Sequence, residues 1–201
     1  IFTRSFVGSV RCVLETGTIL WDNPDTYKLA SQQLSEMINR DKNRASVIIW
    51  SVANETPRGE SRLKFLTGLI TEARKLDPTR LISAATEQTY KDKIITVDDP
   101  LSEQLDVIGA NEYLGWYSYS IDEIKDFSWK TKFNKPLIIS EFGADAKFGL
   151  HGDEQTRWTE EYQNAIYREQ INMLMKVEFL RGMSPWILYD CHSPRSPLPE
   201  I

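Results

Sequence analysis

The sequence predicts an α/β fold built on a parallel sheet. Two apolar runs of strand length, residues 46–53 and 136–140, lead directly to glutamates, Glu55 and Glu141. Between the strand-like runs lie segments with apolar residues at spacings of three and four, which is the pattern of amphipathic helices. Strands that are joined through helices in this way run parallel, with right-handed crossovers.

The first half of the chain supplies two helices and two strands. Asn23 followed by Pro24 is typical of a helix start, because an Asn side chain caps free backbone N–H groups and proline suits the first helical position. Asp77-Pro78-Thr79 ends the second helix. In order, the predicted elements are a helix from 24 to about 40–43, a strand at 46–53, a helix at 63–76 and a strand at 80–86.

The second half predicts three further strands. A polar stretch from Lys91 to Pro100 leads to the first of them, and an aromatic loop at 116–119 follows it. In order, the predicted elements are a strand at 105–113, a helix at 121–133, a strand at 136–141, a long helix at 156–179 and a strand at 182–190. Prolines make the tail at 193–199 irregular.

The polar residues at the strand ends discriminate between two parallel folds. A doubly wound sheet accepts five strands, but it normally carries a glycine-rich phosphate turn after its first strand, and this sequence has none. Acids, Asn and Trp at the ends of four strands fit instead a TIM (β/α)8 barrel, which collects its active site from many strand ends. A complete barrel needs roughly 250 residues. The 201-residue chain therefore predicts part of one.

Composition excludes several kinds of partner. The net charge is −5 and no basic cluster is present, which argues against nucleic acid or an anionic membrane surface. No apolar run reaches the roughly 18 residues that a membrane-spanning helix needs. The two cysteines, Cys12 and Cys191, lie far apart and form no metal or redox motif. We expect neither a metal nor an organic cofactor.

Two strand-end carboxyl groups suit the hydrolysis of an acetal. One protonated carboxyl delivers a proton to the leaving oxygen, and one ionised carboxylate stabilises or attacks the positively charged centre. A gap of about 5 to 5.5 Å between them favours direct attack with retention, whereas about 6.5 to 9.5 Å leaves room for water and inversion. The simpler alternative is that each Glu is a surface residue or the partner of an Arg. Asn54 beside Glu55 favours catalysis, because an amide there can bind the neighbouring sugar hydroxyl.

Four stretches of the chain together resemble glycoside hydrolase family 2, and within it the β-glucuronidases. The resemblance runs in order from about residue 18 to the end. The stretches are Trp50-Ser51-Val52-Ala53-Asn54-Glu55, Asn111-Glu112-Tyr113-Leu114-Gly115-Trp116-Tyr117, Ile138-Ile139-Ser140-Glu141-Phe142-Gly143 and Ser184-Pro185-Trp186-Ile187-Leu188-Tyr189-Asp190. The resemblance implies that the chain holds approximately strands 4 to 8 of the barrel.

The resemblance also implies roles for individual residues. Glu55 would be the general acid/base at the end of strand 4, with Asn54 holding the 2-hydroxyl group, and Glu141 would be the nucleophile at the end of strand 7. The implied activity is that of a retaining, exo-acting β-glycosidase that hydrolyses β-D-glucuronides by double displacement. The other implied site residues are Asn111 and Tyr113 beside the carboxylates, Trp116, Tyr117 and Trp186 as pocket walls and floor, and His151 as a supporting residue behind the site. An exposed loop histidine is an equal alternative for His151.

Two departures from the family pattern limit these expectations. Residues 1–17 do not resemble the expected strand 3, so we treat them as an unplaced leader, either foreign or misread, and residues 18–201 as the partial catalytic domain. The Asn-x-Lys-Gly motif with which the β-glucuronidases bind the carboxylate of the uronic acid does not occur before Ile201. A β-galactosidase of the same family and a non-catalytic sugar-binding remnant of the barrel therefore stay open.

The remaining expectations concern the whole protein. We expect a small-molecule or oligosaccharide glycoside as the partner, and a homo-oligomer is open for a full-length parent. No signal peptide is visible, so the default compartment is the cytoplasm. The isolated chain is expected to be weakly active or inactive, because the edges of an incomplete barrel are unpaired.

Overall fold

The computed structural model describes residues 19–187, which form an α/β fold of eight strands and four helices in that range. Several predictions concern residues outside this range. They are the predictions for residues 1–17, for the end of the last strand at 188–190, for Cys191 and for the tail. The elements in chain order are α1 (Pro24–Asp41), β1 (Ile49–Asn54), α2 (Glu60–Leu76), β2 (Leu81–Ala85), β3 (Thr89–Lys91), β4 (Ile94–Val97), a 3₁₀ turn (Pro100–Glu103), β5 (Val107–Glu112), α3 (Ile121–Ile124), β6 (Ser128–Thr131), β7 (Leu137–Phe142), α4 (Glu160–Leu174) and β8 (Leu180–Met183).

The five strands that the sequence predicted form one parallel sheet in the order β1-β2-β5-β7-β8. Successive strands along the chain are neighbours in space, so the sheet advances in one direction, as the strands of a barrel do. The predicted α/β class with a parallel sheet is confirmed. Because the strands are parallel, their carboxyl ends lie on one edge, and every candidate site residue on a strand lies there.

Helices α1 and α2 cover one end of this sheet. Asn23 caps α1 by accepting a hydrogen bond from the Asp25 backbone N–H at 2.8 Å, as its position before Pro24 predicts. Leu34 and Ile38 of α1 are buried against residues of α2, β1 and β2. Helix α4 packs over the other end, where Ala165 and Ile166 are buried with Ile108 and Ile139 of the sheet. The two apolar cores hold the sheet from which the site projects.

A second, three-stranded sheet in the order β3-β4-β6 was not predicted. The prediction of one helix over 121–133 is wrong, since α3 ends at Ile124 and β6 follows it. Strand β6 pairs with β4, and Trp129 is buried in the core that α4 also covers. The pairing partner of β6 lies more than 30 positions away along the chain, so local periodicity could not reveal it.

The other predicted boundaries need smaller corrections. Helix α4 is shorter than the predicted 156–179, because Thr159 caps its start with a 3.1 Å hydrogen bond from the Tyr162 backbone N–H and the helix ends at Leu174. Strand β8 begins before the predicted residue 182 and ends at Met183. Among residues 19–187, no helix is long and apolar enough to cross a membrane.

Candidate active site

The site is assembled at the carboxyl ends of β1, β5 and β7. Glu55 follows the last residue of β1, and its backbone N–H donates to the Ala85 carbonyl of β2 at 3.0 Å. Asn111 of β5 stands opposite Glu141 of β7 in the strand register. The two glutamates that the sequence singled out therefore lie at the ends of β1 and β7, the strands that flank β2 and β5 in the sheet.

Glu55 has an unusual backbone conformation. Its φ angle is +47°, in the left-handed region that residues with a Cβ rarely occupy. Such a conformation costs on the order of 1 kcal/mol and is concentrated at functional sites. The turn directs the Glu55 side chain toward β5, where it meets Asn111.

Asn111 connects the two residues of the Asn-Glu pair. Its Nδ2 donates to Glu55 Oε1 at 2.6 Å and to Asn54 Oδ1 at 3.0 Å. Its Oδ1 accepts from the Ser140 hydroxyl at 2.7 Å, which sets the orientation of the amide. Because Oε1 of Glu55 receives the amide N–H, a proton on this carboxyl group belongs on Oε2.

Glu141 has a different partner. The Tyr113 hydroxyl donates to Glu141 Oε2 at 2.8 Å. Burial raises the pKa of Tyr113 above its usual range, and the charge of Glu141 and the hydrogen bond to it raise the pKa further. Tyr113 therefore stays a neutral hydrogen-bond donor to Glu141 throughout the pH range in which proteins are folded.

Between Asn111 and Tyr113 the chain carries a third carboxyl group, Glu112, which is completely buried. Its side chain accepts a hydrogen bond from the Leu114 backbone N–H, and within the described part of the chain its Oε2 has no hydrogen-bond partner. Burial raises the pKa of the Glu112 carboxyl group to about 8. The hydrogen bond from the Leu114 N–H acts in the opposite direction and lowers this pKa. Glu112 is thus mostly neutral at neutral pH, in contrast to an exposed glutamate.

A cavity of about 490 Å³ opens at the carboxyl ends of β1, β2 and β5, and Glu141 of β7 is not among the residues that line it. This volume lies within the range of small-molecule sites. Both polar and aromatic side chains line it, namely Glu55, Thr86, Glu87, Gln88, Tyr90, Asn111, Tyr113, Leu114, Tyr117 and Ser118.

The four remaining predicted site residues occupy different positions. Tyr117 is 77% exposed and lines the cavity, with its ring centroid 5.1 Å from that of Tyr113. Trp186 is 45% exposed and follows β8, where its backbone N–H donates to the Phe142 carbonyl at 2.9 Å. This bond places it beside β7, one residue past Glu141.

Trp116 and His151 lie away from the cavity lining. Trp116 is buried, packs edge-on against Trp158 at 4.9 Å between ring centroids, and has the Arg157 guanidinium 4.1 Å from its ring centroid. Trp116 supports the loop that carries Tyr117 and is not a wall of the cavity. His151 is at the surface and contacts Glu161 at 2.9 Å, which raises the pKa of the imidazole.

Sequence reasoning missed three groups of residues around the site. Ser140 was not singled out, although it directly precedes Glu141. Glu112 was read as part of a motif and not as a buried carboxyl group. The segment at residues 86–90 lines one side of the cavity, and its signal was the same as that of Glu55: polar side chains that follow a predicted strand.

The geometry defines the chain as an α/β domain with a parallel sheet and two glutamates at its strand ends, and comparison with known proteins specifies the family. The family model for glycosyl hydrolases family 2, TIM barrel domain, matches residues 4–191. The chain therefore belongs to glycoside hydrolase family 2 and carries residues of its TIM barrel domain.

Individual relatives agree with this assignment. A β-glucuronidase of Paenibacillus borealis is 32% identical over 177 residues, which cover 84% of this chain and 29% of the relative. The structure of the β-D-glucuronidase of Dictyoglomus thermophilum matches with a TM-score of 0.70 at 32% identity over 81% of this chain and 29% of that one. A β-galacturonidase of Eisenbergiella tayi, bound to galacturonate, matches with a TM-score of 0.66 at 25% identity, over 82% of this chain and 30% of that one. The chain thus spans less than a third of the length of each of these proteins.

Proposed function

We propose that the protein that carries this chain is a retaining, exo-acting β-glycosidase in which Glu141 is the nucleophile and Glu55 is the general acid/base. The observation that carries the proposal is the division of partners at the end of β5: Asn111 on this strand donates to Glu55, and Tyr113, which directly follows it, donates to Glu141. Two carboxyl groups with separate partners can hold different protonation states, which acetal hydrolysis requires.

In the first step, Glu141 attacks the anomeric carbon of the sugar as the bond to the leaving oxygen breaks. Glu55 gives its proton to that oxygen, so the leaving group departs as a neutral alcohol. The product is a glycosyl ester of Glu141. The hydrogen bond from Asn111 to Glu55 Oε1 leaves Oε2 to carry the proton that is transferred.

In the second step, Glu55 is ionised and removes a proton from water as the water oxygen attacks the anomeric carbon. The ester bond breaks, Glu141 is released as a carboxylate, and Glu55 regains its proton. Two inversions give net retention. Tyr113 donates to Glu141 in the free enzyme and stabilises the departing carboxylate again at the end of this step.

The remaining residues bind the sugar. Asn54, next to Glu55 and within reach of Asn111, would hold the 2-hydroxyl group, where hydrogen bonds strengthen in the transition state. Trp186 would form the floor of the pocket and Tyr117 a wall. No step needs a metal or an organic cofactor. The isolated 201-residue chain is proposed to be weakly active, because its five-stranded parallel sheet does not close into a barrel within residues 19–187.

For the sugar, we propose a β-D-glucuronide. Support comes from the β-glucuronidases of Paenibacillus borealis and Dictyoglomus thermophilum, at 32% identity each. The β-galacturonidase structure makes a β-galacturonide the second candidate, since both sugars are uronic acids. A β-galactoside, which lacks the carboxylate, is the third.

A substrate panel tests the proposal. The protein that carries this chain is assayed on the 4-nitrophenyl β-glycosides of glucuronic acid, galacturonic acid and galactose, and NMR follows the configuration of the first product. We expect the highest kcat/KM on the glucuronide and a β-configured first product. Higher activity on the galactoside would contradict the proposed sugar specificity. An α-configured first product would contradict the retaining mechanism. Unchanged turnover by Glu141→Gln would contradict Glu141 as the nucleophile, and absence of turnover by the parent on all three glycosides would favour a non-catalytic sugar-binding barrel.

A further inference from the structure

The turn that follows β5 is held by three buried polar side chains that have no part in the mechanism above. We call residues 113–118 the Tyr113 turn, because it begins with the tyrosine that donates to Glu141. The backbone N–H groups of Trp116 and Tyr117 both donate to the Tyr113 carbonyl, at 3.0 and 3.1 Å, so the turn closes on that residue. The position of the Tyr113 hydroxyl therefore depends on how the turn is fixed to the rest of the fold.

Leu114 is held at both ends of its backbone by side chains that are completely buried. The Glu112 carboxyl group accepts from the Leu114 N–H, and Gln170 Nε2 of α4 donates to the Leu114 carbonyl at 2.7 Å. One residue further along, the Tyr162 hydroxyl of α4 donates to the Gly115 carbonyl at 2.5 Å. The end of β5 and helix α4 thus fix the turn at two consecutive residues.

The backbone of the Tyr113 turn lies directly against α4. Gly115 has a φ angle of +84°, in the left-handed region that glycine adopts without steric cost. A Cβ atom at this position would lie 2.4 Å from Cδ1 of Ile166 on α4. The close approach brings the Leu114 and Gly115 carbonyl groups within direct hydrogen-bond distance of the α4 side chains.

Glu112 and Gln170 make these contacts at a cost in free energy. Within residues 19–187, the buried atoms Glu112 Oε2 and Gln170 Oε1 have no hydrogen-bond partner. A buried polar atom without a partner destabilises the fold, and an apolar side chain of similar size would avoid that cost. What distinguishes these two side chains from apolar ones is therefore the hydrogen bond that each makes to Leu114, and not a gain in stability.

We propose that Glu112 and Gln170 are positioning residues for the nucleophile: by fixing Leu114, they hold the neighbouring Tyr113 hydroxyl on Glu141. The inference rests on the proposed function, because it uses Glu141 as the nucleophile. Neither Glu112 nor Gln170 lines the cavity, so their effect on the reaction passes through the Tyr113 turn.

The test is a double-mutant cycle with Tyr113. Glu112→Met and Gln170→Met are each made in the protein that carries this chain, both with Tyr113 intact and with Tyr113→Phe. Steady-state kinetics use the 4-nitrophenyl β-glycoside on which the parent has the highest kcat/KM. With Tyr113 intact, we expect each variant to lower kcat about tenfold and to change KM less than about twofold, because a displaced donor stabilises Glu141 less as it is released.

The second arm of the cycle separates positioning from general damage. With Tyr113→Phe as the starting protein, Glu112→Met and Gln170→Met should lower kcat less than about twofold, because no hydroxyl group is left to displace. Glu112→Gln keeps an acceptor for the Leu114 N–H and should retain most of the activity that Glu112→Met loses. If Glu112→Met does not fold, Gln170→Met completes the same cycle.

Trp50→Phe is the matched buried control. It removes a 3.0 Å hydrogen bond from the buried Trp50 side chain to Asp77 near the amino ends of β1 and β2, and it should leave kcat unchanged whether or not the Tyr113 hydroxyl is present. Urea unfolding shows which variants are folded under the assay conditions.

The outcomes distinguish the positioning role from the proposed function. Equal losses of kcat with and without the Tyr113 hydroxyl, or no loss from either methionine variant, would overturn the positioning role and leave the proposed function standing. Equal losses from Glu112→Gln and Glu112→Met would overturn the role of Glu112. Absence of turnover by the parent on every glycoside of the panel would overturn the proposed function, and the positioning role with it.

Discussion

The Tyr113 hydroxyl donates a 2.8 Å hydrogen bond to Glu141, and Tyr113 directly follows the strand whose Asn111 holds Glu55. Side chains two residues apart at the end of β5 therefore orient the two carboxyl groups separately. Both Asn111 and Tyr113 line the cavity. The position of one strand thus sets the geometry of both acids, and each contact can be tested by itself.

Removal of the Tyr113 hydroxyl should impair catalysis without preventing folding. We expect Tyr113→Phe to lower kcat by about 10- to 100-fold with a smaller change in KM, because the lost donor stabilises Glu141 as it is released. Steady-state kinetics on 4-nitrophenyl β-glucuronide measure the effect. Tyr27→Phe removes a hydrogen bond of the same type, 2.9 Å to Glu72 between α1 and α2, and should leave kcat unchanged. Equal effects of the two variants would show that Tyr113 has no special role.

Asn111 should matter most where the leaving group needs a proton. Asn111→Ala removes the donor to Glu55 Oε1 and leaves the acid free to turn away. We expect about a 100-fold loss of kcat/KM on an alkyl glucuronide and a much smaller loss on a 2,4-dinitrophenyl glucuronide, whose leaving group departs without protonation. Asn39→Ala on the exposed face of α1 is the matched control. An equal loss of kcat/KM on both glucuronides would show that Asn111 does not act in the protonation of the leaving group.

The buried Glu112 carboxyl should make stability depend on pH. Its pKa of about 8 in the folded protein lies above the unfolded value of about 4.5, so the folded state holds a proton that the unfolded state releases. Stability should therefore fall as pH rises between these values, by at most about 1.4 kcal/mol per pH unit, and level off above pH 8.

Glu112→Gln removes this titration and keeps an acceptor for the Leu114 N–H. We expect the variant to lose less stability than the parent between pH 5 and pH 8. Urea unfolding at several pH values measures the slope. Glu36→Gln, on the exposed side of α1, should leave the parent slope intact. Parallel curves for the parent and Glu112→Gln would contradict the assigned protonation.

A buried ion pair holds the loop that follows Glu55. Arg62 Nη1 contacts Asp99 Oδ1 at 2.8 Å with both side chains at most 2% exposed, and Arg62 Nε donates to the Thr56 hydroxyl at 3.0 Å. Arg62→Met leaves a buried, unpaired carboxylate and should cost about 3 to 5 kcal/mol of unfolding free energy.

The exposed pair of Arg40 and Asp41 provides the comparison. Arg40 is 69% exposed, so Arg40→Met should cost much less unfolding free energy than Arg62→Met. Urea unfolding of the two variants measures the difference. Similar losses would mean that burial adds nothing to the Arg62–Asp99 pair.

The strands that form the site were predictable because each is an apolar run that ends on polar residues. Glu55 and Glu141 were identified by that pattern, with Asn54 beside Glu55, and the resemblance to the family added Asn111 and Tyr113 at the end of β5. Strands β3, β4 and β6 were not predictable, because they have three to four residues each and depend on partners distant in sequence. With that sheet the part of the cavity lining at residues 86–90 was missed.

Burial explains the other differences between expectation and structure. Trp116 lies in an aromatic motif, but whether an aromatic ring faces a pocket or a core depends on what packs against it, here Trp158 and Arg157. The burial of Glu112 is equally invisible in sequence, because Asn111 and Tyr113 on either side of it line the cavity while Glu112 does not.

The most direct test of the two-carboxylate mechanism is to trap the covalent intermediate. The protein that carries this chain is treated with 2-deoxy-2-fluoro-β-glucuronosyl fluoride, which forms the glycosyl ester readily and hydrolyses it slowly, and the labelled peptide is sequenced by mass spectrometry. We expect the enzyme to be inactivated with one 2-fluoroglucuronosyl group per site, attached to Glu141. A label on Glu55, or turnover of the reagent with no covalent adduct, would contradict it.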